Sequence, residues 1–175
     1  MLRVIDPLVR AASLKRPLLQ RLSIYLRNQR NLRSGGVMNW DPEKYKHQEL
    51  TEVMIGAFYE VYNELGYGFL ESVYQEAMLI VLRERGMTVE AQRPLPVWFR
   101  GGKIGDFRPD LTVGNLVVAE LKAARALEPF HEAQLLNYLR ASDIEVGLLL
   151  NFGPVAKIKR MVFANENKKN LLLSA

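Results

Sequence analysis

Three side chains carry the strongest chemical signal in the sequence: Asp110, Glu120 and Lys122. They lie in two short apolar runs joined through Gly114-Asn115, which reads as a tight hairpin. An odd turn or a glycine bulge sets Asp110 opposite Glu120. Leu111, Val113, Val117, Ala119 and Leu121 then share one face, and Asp110, Thr112, Val118, Glu120 and Lys122 share the other. A strict two-residue turn would place Asp110 against Ala119 and mix the faces, so the odd register is preferred. Facing carboxylates at a partly buried site repel unless a cation separates them. A divalent ion resolves that conflict, with the backbone carbonyl of Leu121 as a further ligand. Lys122 can then polarise a water or stabilise a pentavalent phosphate. The plain alternative is a solvated Asp–Lys–Glu cluster, and so short a pattern does not choose between the two.

Two further groups bear on that choice. Gln134 and Tyr138, four apart in a predicted helix, share a face with His131. Polar residues grouped beside a carboxylate hairpin can orient water or grip phosphate, although an ordinary solvated face is the preferred reading for His131. In Gly68-Phe69-Leu70-Glu71-Ser72-Val73-Tyr74, Glu71 near a helix start gains from the helix dipole. There Gly68 can act simply as a helix stop and Tyr74 as packing.

The elements that position these groups follow from periodicity. Apolar residues at three- and four-residue steps predict a helix over Gln48–Leu65, ended by Gly66-Tyr67-Gly68. A second, antiparallel helix is expected from Leu70 to Arg85, with Val73, Ala77, Ile80 and Val81 inward. Short strands follow at Met87–Ala91, Leu95–Arg100, Ile104–Val113 and Leu116–Ala123. A helix over Glu128–Ala141 comes next, then a strand over Val146–Phe152 that reads as buried on both faces. A last strand is expected at Lys157–Ala164. The order implies an α/β fold, a mixed β-sheet sandwiched by helices.

Composition narrows the chemistry. The chain of 175 residues is 49% hydrophobic and 25% charged, the balance of a globular protein. Its longest unbroken apolar stretch, Ala77 to Leu82, is far below the roughly 20 residues of a membrane-spanning helix. There is no cysteine, which excludes disulfides, thiolate metal sites and cysteine nucleophiles, and the only histidines are His47 and His131. Any metal must be held mainly by carboxylates, which suits magnesium or manganese. The net charge of +5 is uneven: residues 1–36 hold eight basic groups against Asp6, leaving the remainder slightly negative. Residues 1–37 are therefore read as a basic extension, 38–47 as a linker, 48–164 as the domain and 165–175 as a frayed tail. The extension admits three readings: an organelle presequence, a nucleic-acid-binding arm, or a start misplaced upstream of Met38.

Taken together, the motifs resemble the GxxExxY proteins of the PD-(D/E)xK nuclease superfamily. The resemblance runs from Gly68-x-x-Glu71-x-x-Tyr74 through Arg108-Pro109-Asp110-Leu111 and Glu120-Leu121-Lys122. It continues through Glu132-Ala133-Gln134-Leu135-Leu136-x-Tyr138 to Gly147-Leu148-Leu149-Leu150-Asn151-Phe152. It implies a restriction-endonuclease-like core in which Asp110 and Glu120 bind magnesium, Lys122 is catalytic and Glu71 is an additional acid. Gln134 and Tyr138 resemble the QxxxY element of RecB-like exonucleases, which helps hold DNA. Pro109 replaces a usual small residue and is expected to bend its strand. Tyr62 replaces a histidine, so a supporting polar contact is expected to be lost. The leading expectation is a metal-dependent phosphodiesterase acting on DNA, cytoplasmic, with Arg108, Arg125, Arg140, Lys157, Lys159 and Arg160 as a local phosphate track. The runner-up is a non-catalytic nucleic-acid- or protein-binding module on the same fold. A third reading is a homodimer built on Tyr67, Phe69 and Trp98.

Overall fold

The computed structural model describes residues 46–168. The expectations for residues 1–37, for most of the 38–47 linker and for residues 169–175 lie outside them. Helix α1, Gln48–Leu65, buries Met54, Ala57, Phe58 and Val61, the stripe its spacing predicts. It stops at Gly66, whose φ of 70° is left-handed. Helix α2, Glu71–Glu84, runs back along α1. The Tyr74 hydroxyl near its start donates to Gly66 O at 2.8 Å, while Arg85 beyond its end donates to Val53 O at 2.9 Å, fixing the antiparallel sense.

The inward face of α2 differs from expectation. Tyr74, Met78, Leu79 and Leu82 are buried, whereas Val73 and Ile80 are exposed and Ala77 and Val81 only partly covered. The row Tyr74–Met78–Leu82 faces the core because Tyr74 stacks on Phe152, with ring centroids 4.2 Å apart. Stacked aromatic area outweighs what Val73 and Ile80 would bury.

Strands β1 (Val89–Ala91), β2 (Leu95–Phe99), β3 (Gly102–Phe107), β4 (Leu111–Val113) and β5 (Val117–Lys122) follow. Helix α3 (Pro129–Ala141), β6 (Val146–Asn151) and β7 (Lys157–Val162) complete the order. The run Ile104–Val113, expected as one strand, is broken at Arg108-Pro109-Asp110 into two strands of different sheets. Pro109 has no N–H to offer a ladder, so pairing lapses there. β2 and β3 form a separate hairpin, while the main sheet has the order β1-β4-β5-β6-β7. Only β5–β6 is parallel, so the sheet is mixed.

Helices α1 and α2 cover one face of the sheet, where Phe58, Tyr74, Met78 and Leu82 meet Leu111, Val113, Val117, Ala119, Leu121 and Leu148. Helix α3 covers the other, where Leu135, Tyr138 and Leu139 meet Val118 and Leu149. The architecture is the α/β sandwich with a mixed sheet. Among the described residues no helix is long and apolar enough to cross a membrane. Residues 165–168, expected to fray, continue the fold instead. Asn165–Asn167 form one 3-10 turn, and buried Lys168 donates to Ser142 O and Ile144 O beyond α3 at 3.0 and 2.8 Å.

Candidate active site

The β4–β5 register decides where the carboxylates lie. Leu111 pairs with Ala119, Thr112 with Val118 and Val113 with Val117, so the turn is the three residues Gly114-Asn115-Leu116. Gly114 and Asn115 both adopt positive φ, 60° and 57°. This is the odd register, and one step past Leu111 it brings Asp110 level with Glu120. β4 pairing ends at Leu111, and beyond it carboxylates take the place of a backbone ladder. Asp110 Oδ2 accepts the Leu121 N–H at 2.7 Å, and Glu71 Oε1 accepts the Ala123 N–H at 3.2 Å. The Gly68 to Tyr74 segment is what brings Glu71 there. Gly68 turns at φ 108°, and the Tyr74 hydroxyl accepts the Phe69 N–H at 3.2 Å while donating to Gly66 O.

Asp110 has a second support that sequence reasoning missed. Gln92, at φ 50°, donates its N–H to Asp110 O at 3.2 Å and its Nε2 to Asp110 Oδ1 at 2.9 Å. The Gln92 carbonyl in turn accepts Arg108 Nη1 at 3.1 Å. No spacing rule marks Gln92, because its value arises from a left-handed bend and a contact 18 residues away. Burial, the largest influence, pushes the Asp110 carboxyl upward against the opposing pull of the Leu121 N–H and Lys122.

Glu120 is 3% exposed. Its Oε1 pairs with Lys122 Nζ at 2.6 Å, while among the described residues the buried Oε2 has no donor in hydrogen-bond geometry, and the Tyr138 hydroxyl is the further group that favours the charged carboxylate. Burial, then the neighbouring Asp110 charge, pushes the Glu120 carboxyl up to about 7. The Tyr138 hydroxyl lies close enough to feel that charge, and burial followed by Glu120 raises it to about 12. Gln134 Nε2 donates to the Tyr138 hydroxyl at 2.6 Å, so the two form one polar chain on α3. His131 is buried and accepts the Glu128 N–H on Nδ1 at 3.0 Å, serving as a cap for α3. Burial lowers its pKa, and the Lys122 charge adds to this.

The segment after β5 is clamped from β6. Asn151, fully buried, accepts the Ala124 N–H at 3.0 Å and donates to Ala124 O at 2.9 Å. Phe152 N–H donates to Lys122 O at 2.6 Å. Gly153 lies so close that a β-carbon there would fall 1.9 Å from Ala124 O. The Tyr62 hydroxyl donates to Gly153 O and Pro154 O at 3.0 and 3.2 Å, so the position expected to lose a polar contact makes one through the phenol.

The structure thus gathers Glu71, Asp110, Glu120, Lys122, Gln134 and Tyr138. Leu121 contributes its N–H to Asp110, with its side chain in the core. Arg108 is exposed and braces Gln92, and Arg125 is exposed on the segment Asn151 clamps. Three of the six cations expected to form a phosphate track also make contacts within the chain. Arg140 lies over the Phe163 ring, Lys159 pairs with Glu132, and Arg160 bonds Lys46 O. Among the described residues no three His, Asp or Glu side chains form a ready metal cage. The donor set still fits a hard divalent cation: two carboxylates raised by burial, one with an oxygen that lacks a donor in hydrogen-bond geometry, sit where positive charge would relieve both.

A family model described as PD-(D/E)XK nuclease superfamily matches residues 48–161. A solved structure titled "Crystal structure of SSO0001" is similar at 21% identity and a TM-score of 0.44, over 75% of this chain. The chain covers 65% of that protein's length. No curated protein matches.

Proposed function

The chain belongs to the PD-(D/E)XK nuclease superfamily, and on that premise we propose that it is a divalent-metal-dependent nuclease hydrolysing phosphodiester bonds in DNA. Its five-stranded mixed sheet flanked by helices is the restriction-endonuclease-like fold of that superfamily. The Gly68-x-x-Glu71-x-x-Tyr74 signature supports a place among the GxxExxY proteins. The observation that carries the functional reading is the burial of the Glu120 carboxylate beside Asp110 and Lys122, with no donor in hydrogen-bond geometry on its Oε2 among the described residues. A buried carboxylate oxygen without a donor costs stability, and a bound cation removes that cost.

Asp110 and Glu120 would hold magnesium or manganese, with the Leu121 carbonyl and Glu71 as further ligands, Glu71 directly or through water. Such an ion, when bound, lowers the pKa of a water and offsets charge on the scissile phosphate. Lys122 spends one N–H on Glu120 Oε1 and keeps two to orient the attacking water or meet a phosphate oxygen. Gln92 and the Leu121 N–H keep Asp110 from turning away. Gln134 and Tyr138, joined to each other, would contact the DNA backbone beside Glu120, with Arg108 and Arg125 flanking. The test is cleavage of linear and circular, single- and double-stranded DNA in magnesium, manganese or chelator. Metal-dependent products are expected. No product on any substrate, from folded protein, contradicts the reading in favour of a binding module.

A further inference from the structure

We propose that the β2–β3 hairpin is an arm that holds single-stranded DNA beside the cleavage centre, stacking unpaired bases on Trp98 and Phe99. The inference rests on the nuclease reading and goes beyond it in naming the substrate form and the element that selects it. Among the described residues the hairpin joins no other strand, and its root lies at the site. There Leu95, paired with Phe107, is buried against α3, and the Phe107 ring is 5.4 Å from that of Tyr138. Three residues beyond Phe107 the chain reaches Asp110. Phe99 stands four strand steps from Leu95, about 13 Å outward.

The outer rungs leave the Phe99 ring open on one face of the hairpin, with Trp98, its neighbour in β2, on the other. Phe99 pairs with Gly102 and Val97 with Gly105, so neither has a cross-strand side chain to cover it. A β-carbon at Gly105 would touch nothing within 4 Å. Phe99 is 60% exposed and Trp98 42%. Trp98 pairs with Lys103, and the Arg100 guanidinium lies 5.2 Å from the Phe99 ring centre.

Charge selects the occupant. Residues 93–108 carry Arg93, Arg100, Lys103 and Arg108 against Asp106 alone, whereas the rest of residues 38–175 is net acidic. Lys103 pairs with Asp106 at 2.9 Å and Arg93 with Glu90 at 3.7 Å, which leaves Arg100 and Arg108 as the excess positive charge of the hairpin. A surface joining open rings to cations suits a polyanion with planar bases better than an apolar protein partner. The bases must be unpaired, because a duplex stacks their faces internally.

The test uses the full chain and a fluorescein-labelled oligodeoxythymidine, with anisotropy in chelator for binding and magnesium for cleavage. Trp98→Ala with Phe99→Ala is expected to weaken single-strand binding at least about ten-fold, while duplex binding stays unchanged. Trp98→Leu with Phe99→Leu keeps apolar bulk, removes stacking and is expected to do the same if the alanine pair misfolds. Lys122→Ala is expected to lose cleavage and to keep the preference for single strands over duplex. Unchanged single-strand affinity in a variant that still cleaves overturns the arm and leaves the nuclease standing. Equal losses on duplex, or tighter binding of the matching RNA, overturn it as well. So does a loss of self-association in ultracentrifugation with DNA affinity intact, which would make the hairpin an interface between copies. Wild type that neither binds nor cleaves DNA removes the nuclease reading, and the arm with it.

Discussion

At the scale of single residues, Glu120 couples the site to pH. Its carboxyl titrates near 7 in the folded protein against an ordinary 4.5, chiefly through burial. A raised carboxylate pKa means the folded state holds its proton more tightly than the unfolded chain. The stabilisation is complete below pH 4.5 and is lost as pH rises through 7. The full span corresponds to about 3 kcal/mol. Metal-free protein should therefore melt at lower temperature at pH 8 than at pH 5, by calorimetry. Glu120→Gln should flatten that slope, and added manganese should restore stability at pH 8 only where Glu120 is present. Asp110, Glu120 and Lys122 were legible in the sequence because strand alternation turns a choice of register into a choice of face. Gln92 was not, since its contacts depend on a backbone bend that no periodicity encodes. His131, read as part of an ordinary solvated face, is instead buried, because its ring turns back to cap α3.

At the scale of elements, the site depends on how β5 ends. Asn151 and Gly153 fasten the chain just past Lys122 to the end of β6. Gly153→Ala forces a β-carbon into the Ala124 carbonyl and should cost about 1–3 kcal/mol in denaturant unfolding. Asn151→Ala leaves both polar groups of Ala124 unpaired and should cost a similar amount. Cleavage in that variant is expected to fall further than stability explains, because Lys122 is next to the loosened segment. Tyr62→Phe loses only the bonds to Gly153 O and Pro154 O, about 1 kcal/mol, and should leave cleavage near wild type. The helices and most strands were readable from 3.6- and 2-residue periods. The break at Pro109 was expected only as a bend, because the flanking residues suit strands throughout. That the two pieces join different sheets is a tertiary outcome. The inward face of α2 was misread for a related reason: the Tyr74–Phe152 stack joins residues far apart in sequence.

At the scale of the whole molecule, fold class followed from the order of elements, while charge required division along the chain. The first 37 residues hold more positive charge than the entire chain's net +5. Their removal should weaken DNA binding at low salt and flatten its salt dependence. Cleavage at saturating DNA should persist, as measured by anisotropy and product yield across a salt series. The central claim is that Asp110, Glu120 and Lys122 form a metal-dependent hydrolytic centre. Its most direct test is magnesium-dependent cleavage of DNA by wild type beside Glu120→Gln and Lys122→Ala, each with its fold verified by circular dichroism. The account predicts cleavage by wild type and its loss, by a hundred-fold or more, in both variants. Cleavage undiminished in either folded variant would contradict it.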